Sequence, residues 1–144
     1  MANKGIVVYA FMSADLWHFG HQEALRQAKE LGDYLIVGVI TNKGIKAYKR
    51  EPVIPFKERL ALVRHCDYVD LAVRQETVDP TDNIKKYKPS ILVHGDDWNA
   101  GFVGADYMRS IGGKVILTQY YLHQSTTAII GKIIRMAKIC EITL

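Results

Sequence analysis

Cysteine is scarce in this chain of 144 residues: Cys66 and Cys140 are too few and too far apart for a disulfide framework or a metal-ligand spacing. Both read as structural thiols in a reducing compartment, and the cytoplasm is the expected location. No apolar run approaches the ~20 residues of a membrane span. Lys4 precedes an apolar stretch, but no signal-peptide core with a cleavage site follows. Three motifs that would each announce a chemistry are also missing. There is no G-x-x-x-x-G-K-[ST] loop, no G-x-G-x-x-G after the first apolar run, and no G-x-S-x-G elbow. P-loop phosphate transfer, dinucleotide binding and an acyl-enzyme serine are therefore unsupported.

Charge of one sign is in mild excess. The net charge is +4 and the pI about 9.0, yet the cations are spread from Lys4 to Lys138. Only Lys43-Gly44-Ile45-Lys46-Ala47-Tyr48-Lys49-Arg50 is dense, and a cluster this local suits a phosphate clamp better than a nucleic-acid face. Its alternative reading is a solvated lysine loop. No helix pattern interleaves cations with aromatics, so no nucleic-acid partner is expected. Apolar residues make up 49% and charged residues 24%, the balance of a soluble globular protein, and the length suits one domain over 1–144.

What is present alternates. Gly5 to Ala10 is a short apolar run; Ala24, Leu25, Ala28 and Leu31 then recur at helical spacing up to Gly32; and Tyr34 to Ile40 is a β-branched run suited to a strand covered on both faces. Thr41 to Pro55 shows no periodicity and reads as a loop. Without an apolar anchor, its cationic part is expected to be mobile until substrates bind. Further on, the spacing predicts a helix over 56–64, a strand over 68–73, and a helix to Tyr87 with Asp79 as N-cap and Pro80 as its first residue. A strand over 90–94, a helix over 102–111, a strand over 114–118 and a helix from Ser125 complete the chain.

Strands separated by helix-length segments predict a parallel sheet with helices on both faces, whose ligands bind at the carboxyl edge. Four polar segments fall at that edge. His18 to His21 stands where the first strand hands over to a helix, and free N–H groups with the positive end of the helix dipole meet anions there. Gly20 in that segment lets a nucleotide approach the backbone. The basic loop brings Lys46, Lys49, Arg50 and, just beyond it, Arg59. His94-Gly95-Asp96-Asp97-Trp98 follows the fourth strand, and Ser125-Thr126-Thr127 opens the last helix. With no nucleophile paired to a base, direct in-line displacement at phosphorus is the chemistry this set suits.

Asp15-Leu16-Trp17-His18-Phe19-Gly20-His21, Gly95-Asp96-Asp97-Trp98 and Ser125-Thr126-Thr127, in that order, resemble the HxGH nucleotidyltransferase superfamily and its cytidylyltransferase branch. Lys29 to Leu35 and Tyr68-Val69-Asp70 extend the likeness to the glycerol-3-phosphate cytidylyltransferases over nearly the whole chain. The resemblance implies a Rossmann-like sheet of order 3-2-1-4-5, a CTP site and a homodimer. By that likeness His18 and His21 contact the triphosphate and act in catalysis together with Lys49 and Arg50. Ser13, Ala14, Asp15, Gly20, Arg59, Gly95, Asp96, Trp98, Ser125 and Thr126 would hold the nucleotide, with Asp96 and its backbone reading cytosine. Asp15 would order its loop or a nucleotide-bound Mg²⁺, the one cofactor implied.

One motif departs. The relatives carry Arg-Thr-Glu-Gly-Ile-Ser-Thr before the last helix, where this chain has Tyr120-Tyr121-Leu122-His123-Gln124-Ser125-Thr126. Met12 to Leu16, Ala47 to Pro52, Gln75-Glu76-Thr77 and Val93 to Trp98 are similar to the cytidylyltransferase domains found beside phosphoenolpyruvate phosphomutase. That likeness implies a phosphonate acceptor such as 2-hydroxyethylphosphonate or 2-aminoethylphosphonate, and a link to such a mutase, with Lys46, Tyr120 and His123 at the acceptor. Because no carboxylate lies between Lys114 and Thr127, a neutral hydroxyalkyl tail is the first expectation, with Asp97, Asp106 and Glu23 as the acids that could change it. Three other readings stand beside these: a glycerol-3-phosphate or other phosphate-monoester acceptor; a nucleotide-binding sensor that has lost catalysis; and a zinc site on His18, His21, Asp15 and His94.

Overall fold

A computed structural model describes residues 3–97 and 102–140. It holds one parallel sheet of five strands in the order β3-β2-β1-β4-β5. The strands are β1 Val7–Met12, β2 Tyr34–Ile40, β3 Leu71–Gln75, β4 Ile91–Gly95 and β5 Lys114–Thr118. Between and after them run α1 Phe19–Glu30, α2 Asn42–Lys46, α3 Phe56–Arg64, α4 Thr81–Tyr87, α5 Ala105–Ser110 and α6 Thr126–Cys140. The expected sheet order and layering are those observed.

The central strands are apolar on both sides because both sides are covered. On one face Val8, Ala10, Leu35, Val37 and Val93 pack with Leu25 and Ala28 of α1 and Val63 of α3. On the other, Tyr9, Phe11, Ile36 and Leu92 pack with Ile84 of α4 and Ala105 and Met108 of α5. Tyr9 is fully buried and keeps its hydroxyl satisfied: it donates to Gln75 Oε1 at 2.7 Å and accepts from Asn83 Nδ2 at 2.8 Å. Gly38 makes room for it, since a Cβ there would lie 2.1 Å from the Tyr9 oxygen.

Several boundaries differ from the sequence expectation. β3 begins at Leu71, not at Tyr68, because Tyr68 and Val69 lie in a turn closed by Val69 N–H to Cys66 C=O. Asp70 ends that turn: its carboxylate accepts from Leu35 N–H at 2.7 Å and pairs with Lys29 Nζ at 2.5 Å. Pro80 is the N-cap of α4, not its first residue, and so takes the position expected of Asp79, which lies one residue earlier and accepts from Thr81 N–H at 2.9 Å. α5 is shorter than expected, since Phe102 is buried in the second core and Gly104 turns the chain with φ +89°.

The segment after β2, expected to be an unanchored mobile loop, holds α2. Thr41 caps it by accepting from Gly44 N–H at 3.1 Å, and Ile45 is 1% exposed. The amino-terminal half of the basic cluster is thus tethered to the core. The last helix contrasts with the rest, for no side chain of α6 is buried. Among the described residues no helix is long and apolar enough to cross a membrane.

Candidate active site

The carboxyl ends of β1, β4 and β5 open onto a cleft of about 510 Å³. Its rim is built on the segment between β1 and α1. Ala14 and Leu16 both take left-handed backbone there, with φ +56° and +50°. For residues with a Cβ that conformation costs free energy, and the surrounding contacts must hold it in place.

Asp15 supplies those contacts. Its side chain is 5% exposed, and its carboxylate accepts from Arg50 Nη1 at 3.0 Å, Val53 N–H at 3.0 Å and Ile54 N–H at 2.9 Å. Burial pushes the carboxyl pKa up, but the two backbone donors and Arg50 outweigh it and hold the group below the usual carboxylate range. Its backbone C=O accepts from the Thr126 hydroxyl at 2.8 Å. Asp15 therefore joins the first loop, the basic segment and the start of α6. A carboxylate already taking three N–H donors does not fit as a protein ligand for Mg²⁺, so of its two expected roles the geometry suits the ordering one. Zinc fares no better: among the described residues no group of three such ligands is placed for a metal ion.

His18 and His21 form a capping pair at the N-terminus of α1. His18 Nδ1 accepts from Gly20 N–H at 3.0 Å, and His21 Nδ1 accepts from His18 N–H at 3.2 Å. A neutral imidazole whose Nδ1 accepts carries its proton on Nε2, so the backbone selects the same tautomer in both rings and makes each Nε2 a donor. The rings lie 3.9 Å apart between centroids, and Trp17 stacks on His21 at 5.3 Å and 12°. Burial lowers the His18 pKa; burial, then His18 and Lys49, carry that of His21 down to about 3. Both are neutral donors at neutral pH. Gly20 serves this arrangement directly, since a Cβ there would lie 2.7 Å from His18 Cε1.

Of the residues expected at the site, Ser13, Asp15, His18, Gly20, His21, Lys49, Arg50, Gly95, Tyr120, Ser125 and Thr126 line the cleft. Burial, then Arg50, lowers the pKa of Lys49. Ser125 caps α6, its Oγ accepting from Ala128 N–H at 3.0 Å. Five expected residues are placed elsewhere. Ala14 is fully buried behind the rim. Asp96 points its carboxylate at Tyr120 N–H, 2.8 Å away, and so holds the end of β5. Lys46 lies 3.7 Å from Glu51, and His123 packs on Tyr121, both outside the cleft wall. Arg59 is the most displaced from its expected role: it is fully buried and donates to the C=O groups of Ser13, Ile40 and Ile54 and to Asn42 Oδ1. It reaches the cleft only through the segments it ties. Trp98 lies outside the described residues.

Tyr48 and Gln124 are among the cleft residues that had no place among the expected ligands. Tyr48 brings its hydroxyl to 3.4 Å from Ser13 Oγ across the rim, and Gln124 lies beside α6, its C=O near Gly20. Asp97, one of the acids named for an acceptor tail, is in the wall, 3.9 Å from His94 Nδ1. Burial, then Asp97, raises the pKa of Tyr120. The other two acids are engaged outside: Glu23 pairs with Arg26 at 2.6 Å, and Asp106 is fully exposed beside Arg109.

Comparison with known proteins gives the family and the fold. The cytidylyltransferase-like family model matches residues 11–137. The chain is 39% identical to the probable ethanolamine-phosphate cytidylyltransferase of Encephalitozoon cuniculi over 87% of its own length and 40% of that protein's. It is 36% identical to the bifunctional protein HldE of Geobacter metallireducens over 90% of its length and 27% of that protein's. It thus spans well under half of either relative. Among solved structures, the lipopolysaccharide core biosynthesis protein of Thermoplasma volcanium aligns with a TM-score of 0.71 at 28% identity, over 81% of this chain and 99% of that one.

Proposed function

Since the chain belongs to the cytidylyltransferase-like family, we propose that it transfers CMP from CTP to a small phosphate monoester and releases pyrophosphate. An acceptor phosphate oxygen attacks the α-phosphorus in line; the bond to the bridging oxygen breaks, and its electrons leave with pyrophosphate. The observation that carries this reading is the pair of backbone-fixed Nε2–H donors at the α1 N-terminus. Donors already aimed need no reorganisation as charge develops on the transferred group. Lys49 and Arg50 face the same space and suit the leaving phosphates. Mg²⁺ would be held by the triphosphate's own oxygens and supply charge neutralisation there.

The acceptor reading turns on its tail. Asp97 places a carboxylate in the cleft wall beside Tyr120 and His94, and a carboxylate with aromatic neighbours suits a primary ammonium. This shifts the choice from a hydroxyalkyl tail to an aminoethyl one. Phosphoethanolamine is our first acceptor, in keeping with the printed activity of the Encephalitozoon relative. The phosphonate reading is second and rests on the motif around Tyr120; 2-aminoethylphosphonate has the same tail. Pyrophosphate release from CTP with Mg²⁺ across phosphoethanolamine, 2-aminoethylphosphonate, 2-hydroxyethylphosphonate and glycerol 3-phosphate tests both. The highest kcat/KM is expected for phosphoethanolamine. A preference for either phosphonate would reverse the order, and CTP binding by calorimetry without turnover on any acceptor would make the chain a sensor.

A further inference from the structure

The segment between β5 and α6 supplies part of the cleft wall, yet it belongs to no helix or strand. Three anchors lay it along α1. At its start the Gln27 side-chain amide bonds both backbone groups of Gln119, donating from Nε2 to the C=O at 3.0 Å and accepting from the N–H on Oε1 at 3.0 Å. Further along, Tyr121 sets its ring edge-on to Phe19, 5.3 Å between centroids, and Gln124 brings its C=O beside Gly20. Tyr120 is held from the opposite side. Its N–H donates to Asp96 Oδ1 at 2.8 Å, and Asp96 N–H in turn donates to Thr118 C=O at 2.8 Å.

Loop backbone without a ladder partner shifts readily unless side chains bond it. Here two side chains do so at consecutive residues, and neither Gln27 nor Asp96 lines the cleft itself. What they fix is the Tyr120 ring. That ring packs over Gly95, where a Cβ would lie 3.6 Å from its Cδ2 and 2.6 Å from Asp97 Oδ1. Gly95 therefore leaves open a spot on which a phenol and a carboxylate converge.

We propose that Gln27 and Asp96 are positioning residues that set, through Tyr120, the length of acceptor tail the cleft takes. The inference rests on the acceptor reading above, in which an ammonium meets Asp97 and the Tyr120 ring while the acceptor phosphate lies by the α1 histidines. Gln27 belongs to the same helix as His18 and His21. The spacing between the two ends of the acceptor is thus fixed by a rigid element and not by the loop. A two-carbon tail spans it, and a three-carbon tail overfills it.

The test compares kcat/KM, at saturating CTP, for phosphoethanolamine against 3-aminopropyl phosphate and for 2-hydroxyethyl phosphate against 3-hydroxypropyl phosphate. The wild-type chain should favour the shorter tail about 10–200-fold, the usual worth of one methylene. Gln27→Ala should cut that ratio about tenfold, chiefly by raising KM for the short acceptor, with KM for CTP unchanged. The Gln119 and Tyr120 amides should also exchange faster. Asp96→Ala should do the same, whereas Asp96→Asn, which keeps an oxygen for Tyr120 N–H, should hold the wild-type ratio. A ratio that survives both alanine variants overturns the proposal, as do equal losses on both lengths, which would make the contacts merely structural. So does an Asp96→Asn variant that raises KM for CTP and leaves the ratio alone, since Asp96 would then serve the nucleotide. A wild-type preference for hydroxyalkyl over aminoalkyl tails defeats the ammonium reading alone, because the length ratio is still read within the hydroxyalkyl pair. Turnover of neither series overturns both.

Discussion

Two helices begin at the cleft, and they are held in opposite ways. α1 lies on the sheet, with Leu25 fully buried and Ala28 1% exposed, and its first turn is locked by two histidine rings bonded to the backbone. α6 starts with an ordinary serine cap and one hydroxyl bond to Asp15, and then leaves the body with no side chain buried. A donor can be aimed only as well as the element beneath it is fixed. The α1 end is therefore the place for groups that must act on the transition state. The α6 end suits groups that bind and release.

The largest expected effect sharpens this contrast at α1. His18→Ala and His21→Ala should each lower kcat by about 10²–10³-fold while leaving CTP affinity within about tenfold, since a preorganised donor acts on developing charge. Single-turnover kinetics beside calorimetric CTP binding reads both quantities. Near-native kcat in both variants would remove the histidines from the chemistry.

Asp15 joins the two ends, so Asp15→Ala should disturb both. Leaving the partly buried N–H bonds of Val53 and Ile54 without their acceptor costs about 1 kcal/mol, measurable as a lowered urea midpoint, with a raised KM for CTP. An unchanged midpoint would mean that the rim is held by Arg59 alone.

The third expectation is set by His21. Its pKa is 6.5 in the unfolded chain and about 3 when folded, so below pH 6.5 the unfolded state takes up the proton and the folded state does not. The contribution is complete above that pH and is lost as pH falls toward about 3, at up to about 1.4 kcal/mol per pH unit. His21→Gln should flatten this part of a stability–pH curve. A wild-type curve level between pH 6.5 and 5 would contradict the buried neutral ring.

The smallest effect belongs to α6. Thr126→Val removes one hydroxyl bond of about 1 kcal/mol, so KM for CTP should rise less than about tenfold with kcat near native. If instead kcat fell as far as in the histidine variants, the division of labour between the two helices would be wrong.

The parallel sheet could be read from the chain because continuous β-branched runs between helical spacings leave few alternatives; its strand order was implied by the family resemblance. The α1 end could be read because H-x-G-H follows a strand. Tertiary contacts decided the rest. α2 is five residues long, too short for any periodicity to show, and exists because Thr41 also bonds Glu76 C=O across the sheet edge. β3 slipped because a carboxylate at Asp70, not apolar character, marks where pairing starts. Arg59 suggested a phosphate ligand by its charge alone. Its spacing from Phe56 and Val63 puts it on the inner face of α3, a signal that charge type overrode. Gln124 and Tyr48 carried no local signal, since only the closing of the fold brings them to the wall.

Arg59 has a consequence for how the rim opens and closes. Its guanidinium is buried, and its acceptors are backbone C=O groups from the end of β1, the end of β2 and the segment before α3, together with Asn42. A cation without these dipoles is costly to keep from water, so no one segment can leave while the others stay. Amide hydrogen exchange should find the backbone around Ser13, Asn42 and Ile54 opening together, with a shared protection free energy, as one cooperative unit.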